Sequence, residues 1–288
     1  MQDAAMQIAL ISDTHLAPNA PAFRANCDAA RAWIAALAPD LTVHLGDITA
    51  DAAKDPSHYA EALDAFAAWP TPLRFLPGNH DVGDNRDAAR HGDDPPIDAA
   101  RLARYQAAFG PDRWSLKAEG WTIVGLNAQL FGWDGPEQED QFAWLEDVLA
   151  HADGPLGVML HKPLFRDGPS DIERHHRYLP EAGRTRLLDL LRGHDLRFVL
   201  CGHTHQTRRC HLDGVEHVWA PSTAFLIPDR LQERIGDKIM GTMLLTLTPD
   251  AHRFTLVGPT GLTQRDLLDH AEVYPQLAGL GAVRLSPA

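Results

Sequence analysis

A chain of 288 residues with 44% hydrophobic and 23% charged residues has the composition of an ordinary globular protein and is long enough to bury a large core. Its formal net charge of −13 argues against duplex nucleic acid as a partner, because such binding depends on lysines and arginines that neutralise phosphates. A small anionic substrate is compatible with this charge, since bound metal ions reverse the local field.

Cysteine content and hydropathy indicate the compartment. Three cysteines are an odd number and too few for a disulfide framework, which favours a reducing environment, with Cys201 packed as a small buried residue. The first residues lack the basic and apolar stretches of a signal peptide, and no run approaches the roughly 18 apolar residues of a membrane span. We therefore expect a cytoplasmic protein without a membrane partner; the sequence does not reveal its oligomeric state.

Strand and helix patterns alternate in the first part of the chain, which predicts a β-α-β-α-β beginning with parallel strands. Short apolar runs mark the strands, and apolar residues at helical spacing mark the helices. The predicted elements are a strand at 7–12, a helix at 23–37, a strand at 41–45, a helix with Tyr59, Leu63 and Phe66 on its buried face, and a strand at 73–76.

A surface loop rich in Asp, Arg, Gly and Pro is predicted at 82–100 and divides the alternation from the later elements. The later elements are helices around 102–109, 142–148 and 187–191, strands at 114–117, 122–127, 157–160 and 197–201, and a polar loop at 164–183. Four strands at 208–211, 215–220, 243–248 and 253–257 precede a C-terminal extension, 258–288, with a short helical stretch near 266–271. Without a repeat or clear linker, residues 1–288 are expected to form one domain with its core at 6–257.

Five of the apolar runs end in residues that can bind a metal ion. They are Asp13 with His15, Asp47, Asn79, His161, and His203 with His205. Ligands of open α/β sheets gather beyond the carboxyl ends of the strands, so these side chains are expected to meet in one crevice. Oxygen and nitrogen donors without a thiolate suit Mn²⁺, Fe²⁺/Fe³⁺ or Zn²⁺. Seven ligands exceed one tetrahedral ion and fit two ions that share a carboxylate, an arrangement suited to displacement at phosphorus.

Each of these motifs also has a structural explanation when it stands alone. The chain contains sixteen histidines, and His44 between two apolar residues is more simply a satisfied strand residue. His175, His176 and His211 are expected in loops or on the surface. The pentapeptide 77–81, Pro-Gly-Asn-His-Asp, is by itself typical of a solvated turn. Only the joint occurrence at five strand ends favours a metal site.

The order of these motifs resembles the calcineurin-like metallophosphoesterases. The motifs are Asp13-x-His15, Gly46-Asp47, Gly78-Asn79-His80-Asp81, His161 and Gly202-His203-x-His205, across residues 8–205. The resemblance implies an α/β fold, a four-layer α/β/β/α sandwich in which two mixed sheets pack together with helices outside.

The resemblance also implies the residue roles. Asp13, His15 and His205 would hold one metal ion, and Asn79, His161 and His203 the other, with Asp47 bridging the two. His80 would be the catalytic histidine, which protonates the leaving oxygen or stabilises the charged transition state, and Asp81 would orient its imidazole. Hydroxide held between the metals would attack phosphorus without a covalent enzyme intermediate.

Departures from the patterns of individual branches narrow the function. Purple acid phosphatases carry a tyrosine ligand where this chain has Ala50, and calcineurin-type Ser/Thr phosphatases carry a glutamate where it has Asp81. The run 11–16 resembles the bacterial cyclic-nucleotide and glycerophosphodiester phosphodiesterases, although Lys162 replaces the second histidine of His-His-Pro. The region 105–145 resembles a branch that includes protein and small-molecule phosphatases.

We therefore expect a dinuclear metal-dependent phosphoesterase that hydrolyses a small phosphodiester, such as a cyclic nucleotide or a glycerophosphodiester. The alternatives are a metal-dependent phosphomonoesterase and a non-catalytic scaffold. Loops at 82–100, 128–140 and 164–183 are expected to select the substrate. The candidate substrate contacts are Arg86, Asn127, Lys162 and Arg166, and the candidate lid or interface residues are Trp133 and Phe165.

Overall fold

The computed structural model describes residues 5–86, 94–172, 175–278 and 280. Parts of the predicted loops at 82–100 and 164–183, and of the predicted extension 258–288, therefore lie outside the described residues. That residues 1–288 form one domain stays a prediction.

The described residues form helices and strands in the predicted order. The helices are α1 (Pro21–Leu37), α2 (His58–Phe66), α3 (Asn79–Val82), α4 (Ala99–Phe109), α5 (Pro136–Ala150) and α6 (Glu181–Leu191). The strands are β1 (Met6–Ile11), β2 (Leu41–His44), β3 (Leu73–Phe75), β4 (Trp114–Ala118), β5 (Trp121–Leu126), β6 (Pro155–Leu160), β7 (Asp195–Cys201), β8 (Arg208–Leu212), β9 (Val215–Trp219), β10 (Thr242–Thr248) and β11 (Ala251–Val257). Short 3-10 helices lie at Ala128–Leu130, Leu267–Asp269 and Pro275–Leu277.

Two mixed sheets form the centre of the molecule. The first has the strand order β11-β10-β1-β2-β3. Strands β1, β2 and β3 are parallel, and β10 is antiparallel to both of its neighbours, β1 and β11. The second has the order β4-β5-β6-β7-β9-β8, with parallel strands in the middle and an antiparallel strand at each edge. Both sheets therefore place the carboxyl ends of several parallel strands at a common edge, where ligands collect in such folds.

Alternating side chains of the strands divide the core into three layers. In β1, Ile8 and Leu10 pack between the two sheets with Phe198 of β7, whereas Ala9 and Ile11 face the helices of the first sheet. The outer face of the second sheet packs against α5 and α6 through a third apolar cluster. Because both faces of each sheet are covered, the layers run helix, sheet, sheet, helix. The predicted four-layer sandwich is confirmed.

Three predictions about apolar side chains were wrong. Leu63 in α2 is 43% exposed, because the helix turns a stripe containing Tyr59 and Ala62 towards the sheet. Trp133 and Phe165 are 6% and 4% exposed and belong to the apolar clusters under the helices, so neither is a lid or interface residue in this structure. Apolar loop residues have no periodicity that would reveal which way they face.

The cysteines are free thiols, and Cys201 is buried as predicted. Burial raises the pKa of Cys27 to about 12, which leaves that thiol protonated. In the ranges that the structure describes, no helix has both the length and the apolar character needed to cross a membrane.

Candidate metal centre

The strand tips of both sheets meet at the predicted crevice. Backbone hydrogen bonds tie the tips together: the amide of Asp13 donates to Gly46 at 3.0 Å, and the amide of His15 donates to Asp47 at 3.1 Å. Between the tips of the second sheet, the amide of Gly202 donates to His161 at 2.9 Å. Loops that follow four strands are thereby fixed in pairs, and six of the seven predicted ligands lie in groups whose ligand atoms are within 4.8 Å of one another.

Most of these ligands have strained backbones. Among the described residues, the non-glycine residues with positive φ are Asp13, His15, Ala38, Asp47, Glu119, His203, His205 and Asp213. Five of these eight are predicted ligands, although such a conformation is unfavourable for residues with a Cβ atom. Backbone strain concentrated in one place is typical of functional sites.

Asp13, His15 and His205 form the first group of ligand atoms. The Nε2 atoms of His15 and His205 are 3.2 Å apart, and Nε2 of His205 is 3.4 Å from Oδ1 of Asp13. Nδ1 of His205 donates to the carbonyl oxygen of Phe225 at 2.8 Å, so its Nε2 carries a lone pair. Oδ1 of Asp13 is buried without a hydrogen-bond partner. These ligand atoms lie within 4.8 Å of one another, close enough to hold one metal ion together.

Asp47, His161 and His203 form the second group. Oδ2 of Asp47 lies 3.2 Å from Nε2 of His161, and the latter lies 3.1 Å from Nδ1 of His203. The same Asp47 oxygen is 3.9 Å from Nε2 of His15, which makes it the atom that lies between both groups. Oδ1 of Asn79, the remaining predicted ligand, is also buried without a hydrogen-bond partner.

The electrostatics of the crevice favour cations. Burial alone would raise the pKa of Asp47, but His161 and His80 outweigh it and hold that pKa well below its usual range. Burial likewise opposes protonation of His161, yet the Asp47 carboxylate raises the pKa of this imidazole to about 9. Carboxylates that draw protons onto buried imidazoles would also attract metal ions. The donor set, its unpaired atoms and its charge fit two such ions.

Glycines allow the strand tips to approach closely. A Cβ atom on Gly46, which has a φ of +105°, would lie 2.6 Å from Nδ1 of His161. A Cβ atom on Gly202 would lie 2.9 Å from Oδ2 of Asp13. Gly78 has an ordinary φ of −104°, but a Cβ atom there would overlap the carboxylate of Asp47. Space thus requires glycine at all three positions, and conformation requires it as well at Gly46.

His80 lies at the half-buried mouth of the crevice. One of its ring nitrogens falls within 4.8 Å of the ligand atoms of His15 and Asp47, and its Nδ1 has no hydrogen-bond partner. Burial would lower the pKa of His80, but the charges of Asp47, Asp94, Asp51 and Asp81 together outweigh it and raise that pKa above its ordinary value. A protonated imidazole at the mouth is suited to donate a proton to a departing oxygen.

The structure corrects the role of Asp81. Its carboxylate was predicted to orient the imidazole of His80, but it instead accepts hydrogen bonds from the amides of Ile48, Thr49 and Gly78 at 3.1, 2.9 and 2.9 Å. The hydroxyl of Thr49 donates to it at 2.8 Å. The Asn-His-Asp turn begins the short helix α3, so the third residue can reach back to the first amides. Asp81 therefore joins the tips of β2 and β3.

Two of the four candidate substrate contacts are buried. Lys162 is fully buried and forms an ion pair with Asp84, and Asn127 is fully buried and donates to Asp112 at 2.9 Å. Neither side chain is accessible to a substrate. Arg86 is exposed and lies over the ring of Trp133, and Arg166 pairs with Glu233 at 2.9 Å. The contact role of these two arginines stays a prediction.

The four histidines that were assigned structural or surface positions behave as predicted. His44 is fully buried in β2, where Oγ1 of Thr14 lies 2.9 Å from its Nε2 and the amide of Gly46 donates to its Nδ1 at 3.2 Å. His211 is exposed. His175 and His176 are half-buried loop residues whose rings lie 4.2 Å apart.

Sequence reasoning missed Tyr274. Its hydroxyl lies 2.8 Å from Nδ1 of His15 and is buried, although the two residues are 259 positions apart. Burial and the nearby charge of Asp47 raise the pKa of Tyr274 well above its usual range, so the group is a neutral phenol. Val273-Tyr274-Pro275 matches no motif, and its position beyond the last strand gave no signal.

Comparison with known proteins agrees with this geometry. The sequence model described as "Calcineurin-like phosphoesterase" matches residues 6–207, a span that contains all seven candidate ligands. The chain belongs to the calcineurin-like phosphoesterase family. The match ends before β8, so the last strands and Tyr274 lie outside it.

Curated members of the calcineurin-like phosphoesterase family resemble part of this chain. The 3',5'-cyclic adenosine monophosphate phosphodiesterase CpdA of Escherichia coli (strain K12) is 30% identical over 187 residues, which are 64% of this chain and 61% of that protein. A probable cyclic nucleotide phosphodiesterase of Psychrobacter arcticus is 26% identical over 190 residues, 65% of this chain and 64% of the relative. The similarity thus spans less than two thirds of the length of these relatives.

Solved structures of phosphatases share the fold of this family member. A dimetal phosphatase from Danio rerio superposes with a TM-score of 0.62 at 17% identity, covering 88% of this chain and 96% of that one. Purple acid phosphatase PPD1 from yellow lupin superposes with a TM-score of 0.63 at 15% identity, covering 95% of this chain and 55% of that one. At these identities the comparison establishes the fold alone.

Proposed function

We propose that the protein is a dinuclear metal-dependent phosphoesterase that hydrolyses a small phosphodiester. The observation that carries the proposal is the convergence of two ligand groups on one carboxylate oxygen, Oδ2 of Asp47. A single shared oxygen between two nitrogen-rich groups is the arrangement that two neighbouring metal ions require. Family membership supports the same reaction class.

In this proposal Asp13, His15 and His205 would hold one ion, and a second set of residues would hold the other, with Asp47 available to both. That second set is Asn79, His161 and His203. Mn²⁺, Fe²⁺/Fe³⁺ or Zn²⁺ would suit these oxygen and nitrogen donors. When bound, such ions supply Lewis-acid charge that neutralises phosphoryl oxygens and activates water for attack on phosphorus.

His80 is the proposed catalytic residue. It is half-buried beside His15 and Asp47, and its Nδ1 has no hydrogen-bond partner within the protein. The raised pKa of the imidazole favours its protonated form, which can pass a proton to the leaving oxygen or stabilise the charge that develops there. Asp81 supports this residue indirectly, through the turn on which His80 is placed.

A phosphodiester is favoured over a monoester by the relatives. Proteins named as cyclic nucleotide phosphodiesterases resemble the region that carries the ligands, as does the glycerophosphodiester phosphodiesterase GpdQ of Enterobacter lignolyticus, 26% identical over 205 residues. We propose a small-molecule substrate and the cytoplasm as the location, as the acidic charge and the few cysteines predict.

The test is hydrolysis of two model esters by the protein reconstituted with Mn²⁺. We expect release of nitrophenol from bis-p-nitrophenyl phosphate, and the same rate for the surface variant His211→Ala, which serves as a control. Cleavage of p-nitrophenyl phosphate alone would contradict the proposed phosphodiesterase activity and support the phosphomonoesterase alternative. Less than one ion per chain under metal-replete conditions would instead favour the non-catalytic scaffold. A panel of cyclic nucleotides and glycerophosphodiesters then identifies the substrate class.

A further inference from the structure

The hydrogen bond between His15 and Tyr274 joins the candidate metal centre to the end of the chain. Nδ1 of His15 and the hydroxyl oxygen of Tyr274 are 2.8 Å apart, and the tyrosine is 6% exposed. Its ring packs edge-on to both His15 and His80, with ring centroids 6.2 Å from each. Tyr274 thus lies behind one predicted ligand and beside the predicted catalytic residue.

The segment that carries Tyr274 is attached to the body of the protein. Asn26 of α1 accepts from the amide of Thr263 and donates to its carbonyl, both at 2.9 Å. Asn19 donates to the carbonyl of Glu272 at 2.6 Å. The ring of His270 lies 4.7 Å from that of Phe23. These contacts attach the segment that leads to Tyr274, within a few residues before it in the sequence.

The partner of Nδ1 decides which nitrogen of a histidine can bind a metal ion. His161 and His205 face carbonyl oxygens, of Leu45 at 2.9 Å and of Phe225 at 2.8 Å. A carbonyl only accepts, so both Nδ1 atoms carry hydrogen, and a metal ion would bind each of these histidines at Nε2. His15 faces a phenol, which can either accept or donate. Its Nε2 lone pair is available only if the phenol accepts.

We propose that Tyr274 is a positioning residue of this centre: its hydroxyl accepts the Nδ1 hydrogen of His15 and turns the Nε2 lone pair towards Asp13 and His205. The inference rests on the proposed function, because only a metal site requires this tautomer. It assigns to the C-terminal segment, outside the part of the chain that matches the family, a role in completing the site.

Metal titration of a matched pair of variants tests the proposal. Tyr274→Phe removes only the hydroxyl, and Tyr105→Phe is the control, since Tyr105 is fully buried and its hydroxyl has no hydrogen-bond partner. Metal-free proteins are titrated with Mn²⁺ in a calorimeter, without substrate. We expect Tyr274→Phe to bind one of two ions about 10–100-fold more weakly, as is typical when the partner of a ligating histidine is lost. Tyr105→Phe should bind both ions as the wild type does.

The tautomer of His15 provides a second measurement, which a mere packing role would not change. In ¹⁵N NMR spectra of the metal-free protein, we expect His15 with hydrogen on Nδ1 in the wild type and a changed tautomer ratio in Tyr274→Phe. Wild-type Mn²⁺ affinity together with an unchanged tautomer in that variant would overturn the positioning role alone. A wild-type protein that binds neither Mn²⁺ nor Zn²⁺ would overturn the proposed function, and the positioning role with it.

Discussion

The ammonium group of Lys162 forms an ion pair with the carboxylate of Asp84 inside the protein, and the two side chains are 0% and 3% exposed. The same carboxylate accepts from the amide of Asn85 at 2.7 Å. Lys162 follows His161 at the tip of β6, and Asp84 follows α3, which begins with Asn79. The pair therefore connects two segments that carry predicted ligands of the same ion.

Removal of one partner of this pair should destabilise the fold. Lys162→Met leaves the Asp84 carboxylate buried and unpaired, a change that costs about 3–5 kcal/mol in comparable pairs. We expect a corresponding fall in the free energy of unfolding, measured by urea denaturation of the metal-free protein. The control is Lys54→Met, because Lys54 is 39% exposed in its pair with Asp51 and should contribute less than about 1 kcal/mol. Equal losses in both variants would contradict the prediction.

The double variant Lys162→Met/Asp84→Asn distinguishes charge from packing. With both charges removed, no uncompensated ion stays buried, and we expect the free energy of unfolding to recover by at least half of the loss in Lys162→Met. A double variant as unstable as the single one would mean that the aliphatic stem of Lys162, rather than its charge, stabilises this region.

Variants of His80 and Asp47 should distinguish a role in catalysis from a role in metal binding. His80→Ala should lower kcat by about 10²–10⁴-fold, the usual contribution of a general acid, and retain the metal. Asp47→Ala removes the oxygen that both ligand groups approach, so we expect loss of metal as well as activity. Elemental analysis and steady-state kinetics on the same samples check the prediction. If both variants lose metal equally, the division between catalyst and ligand is wrong.

Asp81 should stabilise the turn rather than tune the imidazole. Its carboxylate accepts from three backbone amides and one hydroxyl, so Asp81→Asn places an amide donor against other donors. An unsatisfied buried group costs about 1–3 kcal/mol, and we expect a loss of this size in urea denaturation. Asp147→Asn, at a side chain that is 79% exposed, should change nothing measurable. A shifted pH–rate profile with unchanged stability would instead support direct contact with His80.

The sequence predicted features whose signal lies in neighbouring residues, and it did not predict contacts between segments that are distant in the chain. An apolar run that ends in Gly-Asp or Gly-His-x-His gives both the strand and the place where its ligand emerges, which is why residues such as Asp47 and His203 could be selected before the fold was known. Nothing local reports that Lys162 turns inward to Asp84 or that Tyr274 reaches His15. Those contacts join segments that meet only after both sheets have formed.

Gly78→Ala should disturb the centre through space alone. Gly78 has a φ of −104°, which alanine adopts readily, but the added Cβ would overlap the carboxylate of Asp47. We expect weaker Mn²⁺ binding and a lower unfolding midpoint, because the bridging carboxylate or the turn must move. Gly168→Ala is the matched control, since no atom lies within 4 Å of the added Cβ. Unchanged Mn²⁺ affinity in Gly78→Ala would show that the turn relaxes without displacing Asp47.

His217 should make the fold sensitive to acid. It is 9% exposed in β9, with its ring 4.9 Å from that of Phe165, and burial together with nearby His211 and Arg208 lowers its pKa from 6.5 to about 4. Above pH 6.5 both folded and unfolded chains hold this residue neutral, so its contribution is fully present. As the pH falls towards 4, only the unfolded chain takes up the proton, and stability is lost.

The size of this effect follows from the shift, since one pKa unit corresponds to about 1.4 kcal/mol. Between pH 7.5 and pH 5, His217 should therefore cost the metal-free protein about 2 kcal/mol in its free energy of unfolding. His217→Leu should lose less stability over this interval than the wild type, whereas His151→Leu, at a side chain that is 72% exposed, should follow the wild type. Urea denaturation at the two pH values measures the difference. Parallel losses in all three proteins would mean that the pKa of His217 is not lowered in the folded protein.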